Sequence, residues 1–467
     1  MPHPTTIAEL RASAYPDRTV KQELSANLVR KLGRSERAFP SIVGFGDSVL
    51  PALERGILAG HDIILLGERG QAKTRLIRQL VDLLDEAVPV IVGCEINDHP
   101  YHPICAACRA RVAEEPDLTP VEWINRSARF SEKLATPDTS VADLIGDVDP
   151  IKVAEGRYLS DEMSIHYGLI PRTNRGIFSV NELPDLPERI QVALLNILEE
   201  RDVQIRGYKI RLPLDLILVA SANPEDYTHR GRIISPLKDR FGSQVRTHYP
   251  EDPDDEIAIM EQEAEPTATG IPVYVPYFMK EVLAELTAQL RRSPGVNQRS
   301  GVSVRYSIGN LENLIASAVR RAVIAGETAA VPRPIDIWTL LESSMGRIEF
   351  DTMEEGREER ILEGCLKAAI GQVYRRRLGG EDLSGLIDRF NSGLVVESRD
   401  VQRAADFLSQ FGRIPGLAKV MQRLELAEES PATAASAVEF ALEGLHLTKR
   451  INKHSTGPRS WRFGNSR

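Results

Sequence analysis

The sequence predicts an α/β protein built on a parallel sheet and followed by a largely helical second half. Three observations carry that prediction. Short apolar runs at Asp62 to Leu66 (DIILL), Gly176 to Val180 (GIFSV) and Leu214 to Ala220 (LDLILVA) have the length and composition of buried strands. The first run ends in Gly-rich sequence before a helical pattern through Leu84, and a helical segment around Pro187 to Glu200 separates the other two, a spacing that argues parallel pairing. After about Pro250 the texture changes to charged, Leu- and Ala-spaced segments at Phe278 to Arg292, Gly309 to Gly326 and Glu358 to Arg377, which read as amphipathic helices.

The 467 residues exceed one ordinary core, so two to three domains are expected. Hydrophobic residues at 42% and charged residues at 27% are the proportions of a folded chain. Lys plus Arg total 58 against 67 Asp plus Glu, a formal charge of −9 that argues against a surface built to coat nucleic acid. Met1 to Ser25 lacks the apolar stretch of a secretory signal and no later run reaches the length of a membrane span, so a cytoplasmic protein with no membrane partner is expected. Four cysteines do not make a disulfide scaffold, although three of them cluster.

Along the chain, residues 1–37 read as a polar N-terminal arm ending in a helix-like stretch from Leu24 to Leu32, and the Pro and Gly of RSERAFPSIVGFG mark its boundary. Residues 38–250 then form the α/β domain, 251–346 a helical domain and 347–467 a further helical region. From about residue 447 the chain carries Lys449, Arg450, Lys453, Arg459, Arg462 and Arg467 and no acid, and reads as a solvated, disordered tail, with contact to an acidic partner as the alternative.

Between the first strand and its helix lies Gly67-Glu68-Arg69-Gly70-Gln71-Ala72-Lys73-Thr74. Glycines let backbone N–H groups curl around phosphate oxygens, and the helix N-terminus that follows adds a favourable dipole. Lys73 would reach the β- and γ-phosphates and the Thr74 hydroxyl would ligate Mg²⁺. Ala72 stands where the usual motif has glycine, which requires backbone torsions that an alanine tolerates. The bland alternative is a Gly-containing turn with a chance Lys-Thr. The second strand ends in Asn181-Glu182, where Glu182 suits the carboxylate that polarises an attacking water. Asn181 stands where an Asp is customary, and an amide accepts a hydrogen bond from metal-bound water without supplying charge, so weaker Mg²⁺ binding is expected. The third strand leads into Ser221-Ala222-Asn223-Pro224, placing Asn223 at a strand's carboxyl end, where it could orient the water; Asn-Pro also opens ordinary turns.

The order of these motifs resembles the magnesium-chelatase and MoxR branch of the AAA+ ATPases, over roughly Phe39 to Leu341. FPSIVG resembles the segment packed near adenine, which implies nucleotide contacts at Val43 and Gly44. GLIPRTNRGIFSVNELPDL is similar to the run into the second Walker motif, SANPED to the sensor 1 segment, SPLKDRFG to the arginine-finger region, and VSVRYSIGNLENL lies where a sensor 2 arginine is expected. The resemblance implies a P-loop NTPase core with a helical lid at 251–346, ATP and Mg²⁺ as cofactors, Arg240 as trans-acting finger with Arg232 as substitute, and Arg305 as sensor 2. Guanidinium suits these posts because it stays charged and offers fixed donors, although a surface ion pair is the plain reading of any single Arg. TSVADLIGDVDP and VQIRGYKIRLP, the second turning at Gly207, resemble the family's pore-facing hairpins. The implied assembly is a ring, with six subunits expected, and the implied partner carries a von Willebrand A-type domain.

Cys94, His99, His102, Cys105 and Cys108 fall within GCEINDHPYHPICAAC, and Cys-x-x-Cys is a spacing at which two thiolates clamp one Zn²⁺. Cys94 and one histidine, His102 or His99, would complete a tetrahedral site. A redox pair and simple buried cysteines are the alternatives. The functional expectation is an ATPase that remodels or activates a protein partner, for metal insertion or complex assembly. A hydrolysis-deficient nucleotide-binding scaffold is the rival, since Ala72 and Asn181 both depart from the pattern. An enhancer-type transcription activator is the third reading, weakened by the lack of a GAFTGA-like loop.

Overall fold

The computed structural model describes residues 3–149, 151, 162–200, 203–205, 208–210, 212–223, 232–297, 300–351, 356–426, 430–457 and 459–465. The chain forms two compact units, Met1–His248 and Tyr249–Arg467.

The first unit is built on five parallel strands: β1 (Ile63–Leu66), β2 (Phe130–Leu134), β3 (Gly176–Asn181), β4 (Leu216–Ala222) and β5 (Ser243–Arg246), in spatial order β5-β1-β4-β3-β2. The three expected strands are β1, β3 and β4, two residues or fewer from their expected starts. All four residues of β1 are buried because each face of the sheet has its own core. Ile63 and Leu65 join Ile177, Ile217 and Val219 on one face, while Ile64 and Leu66 join Phe178, Leu216 and Leu218 on the other. Burial on both faces explains why these strands read as continuous apolar runs.

The N-terminal residues belong to this unit's core. Thr19 and Gln22 form a capping box at the start of the helix Val20–Gly33, which buries Val20, Leu24 and Leu28 against the sheet. Glu23 of that helix accepts two hydrogen bonds from the buried Arg129 guanidinium, at 2.8 and 2.6 Å. The arm expectation weighed the polar composition; apolar residues at positions 20, 24 and 28 share one helix face and are enough to dock it.

In the second unit the expected helices occupy Tyr277–Arg292, Val304–Ala325 and Arg357–Leu378. Residues on both sides of position 347 share one hydrophobic core, in which Phe278, Leu286 and Leu314 meet Leu366, Phe440 and Phe463. The basic C-terminus is folded, contrary to the tail expectation. Strands Asn452–Gly457 and Ser460–Gly464 form a hairpin that pairs antiparallel with Val395–Arg399. Phe463 is fully buried, Lys453 forms an ion pair with buried Glu443 and lies 4.1 Å from the Trp461 ring, and Arg459 and Arg462 reach Glu342 and Glu397. Glu342 and Glu397 come from remote sequence and Glu443 from the buried face of the preceding helix, so charge counting within the tail could not see them.

Candidate active site

Leu66 pairs with Ala222 and Val180 with Ala220, so the carboxyl ends of β1, β4 and β3 lie side by side. The loop Gly67 to Ala72, Asn223 and Asn181-Glu182 therefore gather at one edge of the sheet, where open α/β folds bind ligands.

The loop is tightly determined. A Cβ at Gly67 would meet Thr247 Oγ1 at 1.9 Å and Gln71 Oε1 at 2.3 Å, so only glycine fits. The Gln71 side chain accepts hydrogen bonds from Glu68 N–H at 3.0 Å and the Thr247 hydroxyl at 2.8 Å, which fixes the loop's curl. Gly70 has φ +76°, and Ala72 adopts φ 54°, ψ 13°, a left-handed conformation that costs an L-residue about 1–2 kcal/mol. Ala72 thus holds the backbone of the glycine it replaces. The ammonium of Lys73 donates to the carbonyls of Gly67 at 2.6 Å and Glu68 at 2.8 Å, folding the lysine over its own loop. Thr74 follows in the first turn of the helix Lys73–Gln79. Ser41 accepts hydrogen bonds from Arg75 and Gln79 of that helix, and Val43, half-buried, and Gly44, with φ 78°, follow it in the chain.

Glu182 leaves β3 in a left-handed conformation, φ 54° and ψ 50°, with its N–H 3.3 Å from Ser221 Oγ. Ser221 in turn donates to Asn181 Oδ1 at 3.3 Å. Asn181 Nδ2 donates to Glu132 on β2, and Glu132 accepts a further hydrogen bond from Arg78 Nε at 2.9 Å, four residues beyond Thr74. Glu132 was missed in the sequence because FSEKL belongs to no recognised motif; its position beside Asn181 is set by strand pairing alone. It brings a carboxylate to the amide that replaced the customary Asp. Asn223 is buried at the end of β4, and Pro224 to Asp226 of the SANPED segment lie outside the described residues.

The arginines are placed differently. Arg240 ends the helix Ser235–Arg240, about half exposed, in an ion pair with Glu199. Arg232 is exposed, and its carbonyl accepts from Gln191 Nε2 at 3.1 Å. Arg305 lies exposed in the first turn of Val304–Ala325, in the second unit. In the first expected hairpin Gly146–Val148 pairs with Ile165–Tyr167, while Pro150 lies outside the described residues. In the second, Val203–Ile205 pairs with Tyr208–Ile210, and Gly207 lies outside them.

The cysteines converge. Cys94, Cys105 and Cys108 are joined by Asp98, with one ligand atom of each lying within 4.8 Å of the others. The thiols of Cys105 and Cys108 hydrogen-bond to Cys94 and hold it down at about 4, while the hydrogen bonds of Cys108, first to Cys105 and next to Cys94, push its own thiol upward. Burial, and next the neighbouring Cys105 sulfur, raise Asp98 to about 7. His102 is elsewhere: its Nε2 is 2.7 Å from Asp17 Oδ2, on the surface. His99 Nδ1 accepts from Tyr101 N–H at 3.1 Å, and burial lowers the ring to about 3. Asp98, and not the expected His102 or His99, lies beside the three thiols. Asp98 sits one turn-length after Cys94 and was passed over because imidazole is the commoner companion of thiolates.

A parallel sheet with a phosphate loop after β1 and a carboxylate after β3 defines an AAA+ P-loop NTPase core. The family model for the sigma-54 interaction domain matches residues 154–240. The chain is 28% identical over 224 residues to the magnesium-chelatase 38 kDa subunit of Cereibacter sphaeroides, covering 45% of this chain and 58% of that protein. It is 27% identical over 248 residues to magnesium-chelatase subunit ChlI of Guillardia theta, covering 52% of this chain and 66% of that protein. Among solved structures, the complex of magnesium-chelatase subunits BchI and BchD aligns at 20% identity and TM-score 0.36, covering 69% of this chain and 98% of that one. NtrX from Brucella abortus aligns at 16% identity and TM-score 0.41, covering 83% of this chain and 72% of that one. In sequence the chain is thus similar to ATPase subunits of the magnesium-chelatase branch of AAA+ proteins. The chain spans about three fifths of the length of the curated relatives it matches.

Proposed function

We propose that this chain hydrolyses ATP as one subunit of a ring and uses the energy to remodel or activate a protein partner. The observation that carries the reading is the meeting of the Lys73 loop, Asn181-Glu182 and Asn223 at one sheet edge. The donor set suits a magnesium nucleotide: Thr74 offers a hydroxyl, Asn181 an amide oxygen, and Glu132 the negative charge that the amide lacks. Mg²⁺ there would neutralise charge on the phosphates. In this reading Lys73 leaves its loop carbonyls for the phosphates, Glu182 accepts the proton of the attacking water, and Asn223 orients that water. Arg240, exposed and held by Glu199, would exchange that surface pair for a neighbour's phosphate, and Arg305 would act from the helical lid at 251–346. Release of these contacts after hydrolysis would move lid against core and pull on a partner gripped by the paired strands near residues 146 and 205. The partner class is a von Willebrand A-type protein, with metal insertion or complex assembly as the outcome; a cytoplasmic setting fits, and no described helix is long and apolar enough to cross a membrane.

Steady-state ATPase assays test this. Glu182→Gln is expected to lower turnover by about 10²–10⁴-fold while leaving ATP binding intact. Equal rates in both proteins would favour the nucleotide-binding scaffold. A second reading, a transcription activator of the sigma-54 type, is favoured by the match at residues 154–240. Retention of the chain on immobilised sigma-54 in the presence of ATP would support it; no retention under any nucleotide condition would remove it.

A further inference from the structure

We propose that Cys94, Asp98, Cys105 and Cys108 form a structural site for a thiophilic divalent cation, Zn²⁺, which pins the segment between the strands Ala87–Ile91 and Val121–Asn125. A tetrahedral zinc with Zn–S near 2.3 Å holds its ligands about 3.8 Å apart. Four candidate ligand atoms within 4.8 Å of one another need only a small contraction to reach that geometry. The surroundings are those of a thiolate site. Cys105 is the N-cap of the helix Ala106–Glu114, so the helix dipole favours negative sulfur there. The N–H groups of Cys108 and Asp98 point at the sulfurs of Cys105 and Cys94, each at 3.3 Å. A redox disulfide would use two sulfurs and leave the third, and the carboxylate, without a purpose.

Asp98 supplies the independent observation. Its side chain is fully buried; Oδ2 accepts from Cys105 N–H at 3.0 Å, and Oδ1 has no hydrogen-bond partner among the described residues. A buried carboxylate oxygen with nothing to bond is costly, and a cation beside it removes that cost. The segment also has a reason to be stapled, since it buries few apolar residues fully: Ile96, Cys105 and Cys108 enter the core, with Cys94, Ile104 and Val112 only partly buried against it. It nevertheless carries the docking surface for the N-terminus, with Ile7 N–H on Thr119 O at 3.2 Å and Val121 N–H on Thr5 O at 2.8 Å. Small, core-poor segments of this kind are held by metal where packing is insufficient. Binding displaces the thiol protons to solvent.

The test is metal content of the full chain, purified under reducing conditions and dialysed against zinc, with Co²⁺ substitution as a spectroscopic probe. About one zinc per chain and a thiolate-to-cobalt charge-transfer band are expected. Asp98→Asn keeps the shape of the site and is expected to weaken zinc at least about tenfold, whereas His102→Ala leaves affinity unchanged. Absence of zinc and of the cobalt band in the wild-type chain overturns the proposal, and so does full affinity in Asp98→Asn. These readouts use no ATPase activity, so the site stands or falls separately from the motor. If cysteine variants fail to fold, the wild-type titration and the Asp98→Asn comparison still decide.

Discussion

Ala72 shows how a single side chain records the demands of a phosphate loop. Its left-handed torsions are those that glycine adopts without penalty, and the helix after it begins only because the chain turns there. Ala72→Gly is expected to stabilise the protein by about 0.5–1 kcal/mol, measured by urea denaturation, with ATP affinity equal or tighter. Glu132 makes a complementary point about charge. Because Asn181 donates to it, Glu132→Gln should raise the Mg²⁺ concentration needed for half-maximal ATPase activity. Asn181→Asp alone would set two carboxylates against each other and is expected to impair activity as well. Combined with Glu132→Gln it should recover, and this non-additivity, read from Mg²⁺ titrations of the four proteins, checks the coupling. Simple addition of the two losses would deny it.

Single elements are held by buried ion pairs as well as by apolar burial. The helix Val20–Gly33 is tied to the start of β2 through Glu23 and Arg129, both buried, with Arg129 Nε also donating to Arg175 O at 2.8 Å. Glu23→Ala leaves that guanidinium uncompensated and should cost about 3–5 kcal/mol in denaturant unfolding. The C-terminal hairpin repeats the arrangement, with Lys453 against Glu443. Burial raises the Glu443 carboxyl and Lys453 pulls it back. Lys453→Met removes the restraint, so Glu443 folds more readily when protonated. A folded pKa raised above the unfolded one gives stability present at low pH and lost as pH rises. The variant's deficit is therefore expected to be small near pH 4 and to grow toward about 3–5 kcal/mol near pH 8. A pH-independent deficit would show that packing against Trp461, not charge, holds the strand.

For the molecule as a whole, the proposed motor places its active site across two copies of the chain. Arg240→Ala should then lower ATPase turnover about 10³-fold or more without loss of ATP binding. Mixing Arg240→Ala with Glu182→Gln is the decisive measurement, because only a mixed seam can join an intact Glu182 to an intact Arg240. Recovered activity in the mixture is expected. Two proteins that stay inactive together would place Arg240 outside the site and leave its Glu199 pair as its whole role.

Three of the five sheet strands, the phosphate-loop pattern and the second-half helices were legible in the sequence, because each rests on local patterns: continuous apolar runs for strands buried on both faces, glycine and lysine at fixed spacing, and apolar residues on one helical face; β2 and β5 lack such a run. The sequence named Lys73, Thr74, Asn181, Glu182 and Asn223, but only parallel pairing of β1, β4 and β3 brought them to one edge. Tertiary structure alone decided the rest. It paired Glu132 with Asn181, placed Asp98 instead of His102 among the cysteines, and folded a basic tail by supplying Glu342 and Glu397 from far along the chain and Glu443 from the helix just before it. Those outcomes depend on which side chains the fold brings together, and neither charge nor spacing along the chain records that partner, whether it lies four residues away or more than a hundred.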